Sequence, residues 1–280
     1  MKCEVCFRHC DLNEGQLGFC RARRNRGDRI IPENYGVITS IALDPIEKKP
    51  LNRFCPGSFI LSLGSFGCNL RCPFCQNHDI SQIGDKGEGK EFSRTDPERI
   101  LEIALDERKN GNIGVAYTYN EALVGYEFVR DTAKLIRDAG MKNVLVSNGT
   151  AELKVLHEIL PFMDAMNIDL KSFSEKVYRE VLKGDLKQTM DFIEEASRHC
   201  HMEITTLIVP DINDSEEEIR EMTSWIASLN DGKGKEIPYH ISRFFPRYNM
   251  TDRSATDVGL IYRLAETARE NLKYVYEGNV

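Results

Sequence analysis

The chain has 280 residues, a formal net charge of −7 and 41% hydrophobic residues, with 13 Phe and one Trp. That composition suits one large α/β domain with at most a small appendage, and its negative balance disfavours nucleic acid held by bulk charge. No apolar run reaches the roughly 18 residues of a membrane-spanning helix, and the opening MKCEVCFRHC lacks the apolar core of a signal peptide. The nine cysteines therefore read as metal ligands in a reducing cytoplasm, not as disulfides.

The first group is Cys3, Cys6, Cys10 and Cys20, spaced C-x2-C-x3-C-x9-C. Four thiols so close suit a small closed metal knuckle, with Gly15 and Gly18 turning the loop back. A structural zinc is the first reading and an auxiliary iron–sulfur cluster the second; with four cysteines present, His9 is spare. The basic run Arg21–Asp28 reads as a solvated loop. Tyr35–Leu43 is β-rich. Pro45 and Pro50 then break regular structure across DPIEKKP, where Glu47, Lys48 and Lys49 are expected at the surface. Cys55 reads as a packed or free thiol. The expected organisation is a Cys-rich N-terminal segment with a β-extension over residues 1–57 and a core over 58–280.

From Phe59 a strand–loop–helix rhythm begins. Phe59–Leu63 is a short strand that runs into GSFGCNLRCPFCQN, where Cys68, Cys72 and Cys75 are spaced C-x3-C-x2-C. Three thiolates on one loop can hold a 4Fe–4S cluster with one iron left open. A zinc site would need a fourth ligand, for which His78 lies unusually close. Thr95–Asp96–Pro97 starts a helix. Strands follow at Ile113–Tyr119, Asn143–Ser147, Ala165–Lys171, His201–Val209 and Ile237–Ser242, with helices between them, one capped by Asp214. A last helix covers Val258 to Asn271, and a final strand lies near Tyr274–Glu277.

This alternation predicts right-handed βαβ units and a parallel sheet. The fold class is α/β, a partial (β/α)6-type TIM barrel with the Cys-rich knuckle attached. Chemistry then belongs at the carboxyl ends of the strands. Polar residues do alternate there: Asn167, Asp169 and Lys171 on one strand, and His201, Glu203 and Thr205 on another. Asn120–Glu121, Ser147–Asn148–Gly149, and His240 with Arg243 sit at or near the ends of three more.

The C-x3-C-x2-C loop, with Phe74 just before its last cysteine, resembles the radical S-adenosylmethionine (SAM) enzymes. DPIEKKP followed by Pro56–Ser58 is similar to the AmmeMemoRadiSam branch of that family. The resemblance implies a 4Fe–4S cluster on Cys68, Cys72 and Cys75 that binds SAM at its open iron and cleaves it reductively. It implies SAM contacts at Phe74 (adenine), at Asn120 and Glu121 of the stretch Tyr119–Asn120–Glu121 that stands in the place of Gly-Gly-Glu, and at Ser147 and Asn148. Asp169 and Lys171 resemble the D-x-K pair of glycyl-radical-enzyme activases. His240 is expected near SAM, Glu203 with the same cofactor-binding set, and Arg243 toward substrate. Val146 stands where some activases carry an Asp that helps hold a monovalent cation. A reduced flavodoxin or ferredoxin is the implied electron donor and a partner protein the implied substrate. The other readings are radical modification of a small molecule, peptide or RNA, and a metal-stabilised binding module without catalysis.

Overall fold

The computed structural model describes residues 1–83 and 92–280. Eight strands form one sheet in sequential order: β1 (Ser40–Pro45), β2 (Phe59–Gly64), β3 (Asn112–Tyr117), β4 (Lys142–Ser147), β5 (Ala165–Asp169), β6 (His201–Ile208), β7 (Tyr239–Arg243) and β8 (Val275–Gly278). β2 to β8 run parallel, and β1 lies antiparallel on the β2 edge. Parallel neighbours need crossovers, which α1 (Pro97–Asp106), α2 (Tyr126–Asp138), α3 (Leu153–Ile159), α4 (Leu186–Ala196), α5 (Glu216–Gly232) and α6 (Val258–Arg269) provide. This is the expected partial (β/α)6 barrel. The expected N-terminal extension contributes its edge strand.

Local signals placed the helices closely. Asp96 accepts from Arg99 N, with Pro97 in the first turn, and α1 buries Ile100 and Ala104. α5 begins one residue later than expected. Its cap is Ser215, whose side chain accepts from Glu218 N, and not Asp214. The α2 face of Phe128, Val129, Ala133 and Ile136 is buried as its periodicity implies.

The segment after β1 departs from the expected surface loop. Lys49 is only 3% exposed and pairs with Asp44 at 3.0 Å, while Ile46 and Leu51 are fully buried. This segment closes the floor of the barrel. There the Asn52 and Arg53 backbone N–H groups donate to the Glu203 carboxylate at 3.0 and 2.8 Å. His201 and His240 hold the same carboxylate through Nε2 at 2.9 and 2.6 Å. A buried carboxylate needs such partners to stay charged. Burial works against its charge, but the two histidines and the Arg53 N–H outweigh it and hold Glu203 down to about 2.

Candidate active site

At the opposite end, the carboxyl ends of the strands surround a cavity of about 280 Å³. Cys68, Cys72 and Cys75 all line it, on the loop that leaves β2. Facing them are Asn120 and Glu121 after β3, Ser147 and Asn148 at the end of β4, Asp169 at the end of β5 and Lys171 just beyond it, with Phe74 on the loop's own side. A larger surface groove of about 790 Å³, lined by Arg137, Lys142, His157 and His199 among others, contains none of these residues.

The cysteine loop is held by hydrogen bonds that cross the barrel mouth. Leu70 N donates to Cys68 Sγ at 3.4 Å, and Asn148 Nδ2 lies 3.7 Å from the same sulfur. Asn148 Nδ2 also donates to Asn69 Oδ1 at 2.9 Å. Burial raises all three thiols, Cys72 to about 11, although Lys171 opposes it there. The neutral thiol is favoured in so dry a place, so a metal centre would displace the protons as it binds.

The carboxylates opposite differ in how fully they are satisfied. Glu121 is buried; it accepts from Leu123 N at 3.1 Å and Ser147 Oγ at 2.8 Å on one oxygen, and from Asn148 N at 2.8 Å on the other. Burial still pushes its pKa up. Asp169 and Lys171 pair at 2.8 Å. Burial weakens the Lys171 charge, but Asp169 and Cys72 outweigh it and keep the ammonium charged. β5 ends at Asp169, one alternation before Lys171. Asn167 lies deeper, with its Nδ2 on Pro50 O at 2.8 Å.

Three expected contacts lie elsewhere. Glu203 and His240 belong to the floor and do not line the cavity. Glu203 stands two positions before Thr205 on β6, about 7 Å deeper at the rise of a strand. Arg243 turns away: its Nε donates to Thr256 O at 2.7 Å and its guanidinium lies 4.9 Å from the Phe245 ring centre. Positions that do line the cavity are Thr205, Ser242 and Tyr119. Thr205 Oγ1 is buried without a hydrogen-bond partner among the described residues. Tyr119 takes φ +71°, packs its ring where a Gly64 side chain would have to be, and donates its hydroxyl to Asp44 at 2.7 Å. The period-two alternation of β6 marks Thr205 as inward; Tyr119 is marked only by its place at the head of the stretch that stands in for Gly-Gly-Glu.

The donor set fits an iron–sulfur cluster. Three cysteines of one short loop border one cavity with no fourth protein ligand joining them among the described residues, and polar groups ring the opposite wall. His78, the fourth zinc ligand considered from sequence, instead stacks on Tyr248 with ring centres 4.6 Å apart.

A parallel barrel with this three-cysteine loop at the mouth defines a class of enzyme. The chain belongs to the radical SAM superfamily, whose family model matches residues 63–223. Its relatives include the uncharacterized protein MJ0808 of Methanocaldococcus jannaschii, 40% identical, covering all of this chain and 81% of that protein. The pyruvate formate-lyase-activating enzyme of Clostridium pasteurianum is 29% identical over 62% of this chain and 72% of its own length. The pyruvate formate-lyase 1-activating enzyme of Escherichia coli K12 is 25% identical over 62% of this chain and 71% of its own. Among solved structures, QueE from Escherichia coli shares the fold at a TM-score of 0.56 and 12% identity, covering 88% of this chain and 94% of that one.

Proposed function

We propose that this enzyme cleaves SAM reductively at a 4Fe–4S cluster held by Cys68, Cys72 and Cys75, and that hydrogen is then abstracted from a substrate as in glycyl-radical-enzyme activation. When bound, the cluster supplies one electron to the SAM sulfonium, which yields methionine and a 5′-deoxyadenosyl radical. The observation that carries this reading is that all three cysteines line the same cavity as Glu121, Asn148 and the Asp169–Lys171 pair.

The roles of the surrounding groups follow from their chemistry. Lys171 can donate to a carboxylate and Asp169 can accept from an ammonium or a ribose hydroxyl. Asn120 and Glu121 fix the turn after β3, since Asn120 Oδ1 accepts from Ser65 N at 3.0 Å and so ties β3 to the cysteine loop. Ser147 and Asn148 orient Glu121. Phe74, 4% exposed, offers an apolar face to an adenine. The Thr205 hydroxyl, without a partner among the described residues, can meet a bound ligand.

The resemblance to glycyl-radical-enzyme activases implies a reduced flavodoxin or ferredoxin as donor and a protein glycine Cα as substrate, and relatives named for activating pyruvate formate-lyase support a protein substrate. The test is anaerobic. Reconstituted protein with dithionite should turn SAM into methionine and 5′-deoxyadenosine, and deuterium from a glycine-labelled partner protein should appear in the deoxyadenosine. SAM cleavage with deuterium drawn instead from a small molecule, a peptide or an RNA would replace the activase reading. No cleavage by a protein loaded with iron and sulfide would overturn the whole of it.

A further inference from the structure

We propose that Cys3, Cys6, Cys10 and Cys20 hold a second 4Fe–4S cluster, closed by four thiolates and built against the cysteine loop of the barrel. The four residues are gathered by the fold and not only by sequence. Cys3 N donates to Cys10 O at 2.8 Å. The position a Gly18 side chain would occupy lies 3.8 Å from Cys20 Sγ and 3.9 Å from Cys10 Sγ, so these two sulfurs face each other across a glycine.

Hydrogen-bond donors and cations surround these sulfurs. Backbone N–H groups of Arg8 and of Ala22 and Arg23 point at the sulfurs of Cys6 and Cys20, as Leu70 N points at Cys68. The guanidinium of Arg8 lies within electrostatic reach of Cys6 and Cys10, that of Arg23 of Cys3 and Cys20, and that of Arg71 of Cys20. Neutral thiols in a plain core would need neither the donors nor the cations. A core with four thiolates, which carries net negative charge, needs both.

Position chooses iron–sulfur over the zinc that the spacing first suggested. The guanidinium of Arg71 lies within electrostatic reach of both Cys20 and Cys68, so the two cysteine groups are neighbours. A cubane beside a redox-active cluster can exchange electrons with it, whereas zinc has no redox chemistry to offer there.

The site is joined to the cavity. Asn69 hydrogen-bonds the Cys6 sulfur, and its Oδ1 accepts from Asn148, whose amide lies beside Cys68. A Gly67 side chain would meet Cys20 O at 2.6 Å, so Cys20 rests directly on the cysteine loop.

The experiment counts metal in anaerobically purified full-length protein, reconstituted with iron and sulfide, as wild type, as Cys68→Ser/Cys72→Ser/Cys75→Ser and as Cys10→Ser. The inference does not depend on SAM cleavage. Wild type should carry about eight irons and no zinc, and the triple variant should keep about four irons with brown absorbance. Cys10→Ser should lose about half of the wild-type iron. Four irons with one zinc in the wild type, or a triple variant without iron, overturns the proposal. The wild-type count decides it even if a variant fails to fold. A triple variant that loses no iron would instead count against the cluster at Cys68, Cys72 and Cys75.

Discussion

Asn148 donates its side-chain amide to Asn69 Oδ1 at 2.9 Å, and Asn69 Nδ2 donates onward to Thr150 Oγ1 at 2.8 Å. The turn after β4 and the cysteine loop after β2 are therefore one buried hydrogen-bonded unit. Asn148→Ala strands the Asn69 and Thr150 partners away from water, which costs about 1–3 kcal/mol. Anaerobic urea unfolding should show that loss, together with faster bleaching of the visible absorbance. Unchanged unfolding and bleaching would show that the two loops are held independently.

Removal of one cluster ligand should abolish turnover without unfolding the barrel. Cys72→Ala should lower the iron content by about four per chain and eliminate 5′-deoxyadenosine formation. Circular dichroism should stay near wild type, because Cys72 contributes one small side chain to a large core. Persistent SAM cleavage by this variant would remove the cluster from this loop.

Lys171→Gln keeps most of the side-chain volume but removes the charge that pairs with Asp169 at 2.8 Å. The loss of a charge-assisted hydrogen bond to a ligand carboxylate, about 1.5–3 kcal/mol, corresponds to roughly tenfold or greater weakening of SAM binding. Equilibrium binding of SAM to the reduced or oxidised protein measures it. A dissociation constant within twofold of wild type would place Lys171 in a structural role only.

Acid should loosen the floor of the barrel before it reaches the rest of the core. Glu203 has an ordinary value of 4.5 and is held at about 2 when folded. Its folded pKa is depressed, so its contribution is fully present above about pH 4.5 and is lost as pH falls toward 2. Asp44, held down to about 2 against burial by Tyr119 and Lys49, loses its contribution in the same low range. Glu203→Gln should be destabilised by about 3–5 kcal/mol at neutral pH and should show a flatter fall in melting temperature across pH 4.5 to 2 than wild type. An equal slope in both proteins would contradict this assignment.

Gly67→Ala tests the seam between the N-terminal cysteines and the barrel. Gly67 has φ +92°, and an added Cβ would come within 2.6 Å of Cys20 O and 2.9 Å of Ala22 Cβ. Backbone strain and overlap together should cost upward of about 1 kcal/mol, read as a lower melting temperature and poorer iron retention. A variant as stable as wild type would mean that the two segments yield easily to each other.

Much of this enzyme is written locally in its chain. The cysteine spacings, the Asp96–Pro97 cap, the apolar face of α2 and the strand–helix alternation each depend on neighbours a few residues apart, and short-range geometry decides them. Depth inside the barrel is not local. Alternation along β6 marks Glu203, Thr205 and Leu207 as inward alike, yet Glu203 holds the floor while Thr205 and Leu207 reach the cavity. That division depends on the stagger between strands and on residues 46–53 entering from below, about 150 positions away in the chain. Lys49 looked like a surface charge because its partners, Asp44 and the Tyr119 ring 4.7 Å from its ammonium, are brought around it only by the closed floor. The sequence alone therefore identified the three-cysteine loop and the superfamily. Tertiary packing decided which of the inward polar groups can touch a ligand, because an inward direction is set within a strand but a layer is set between strands.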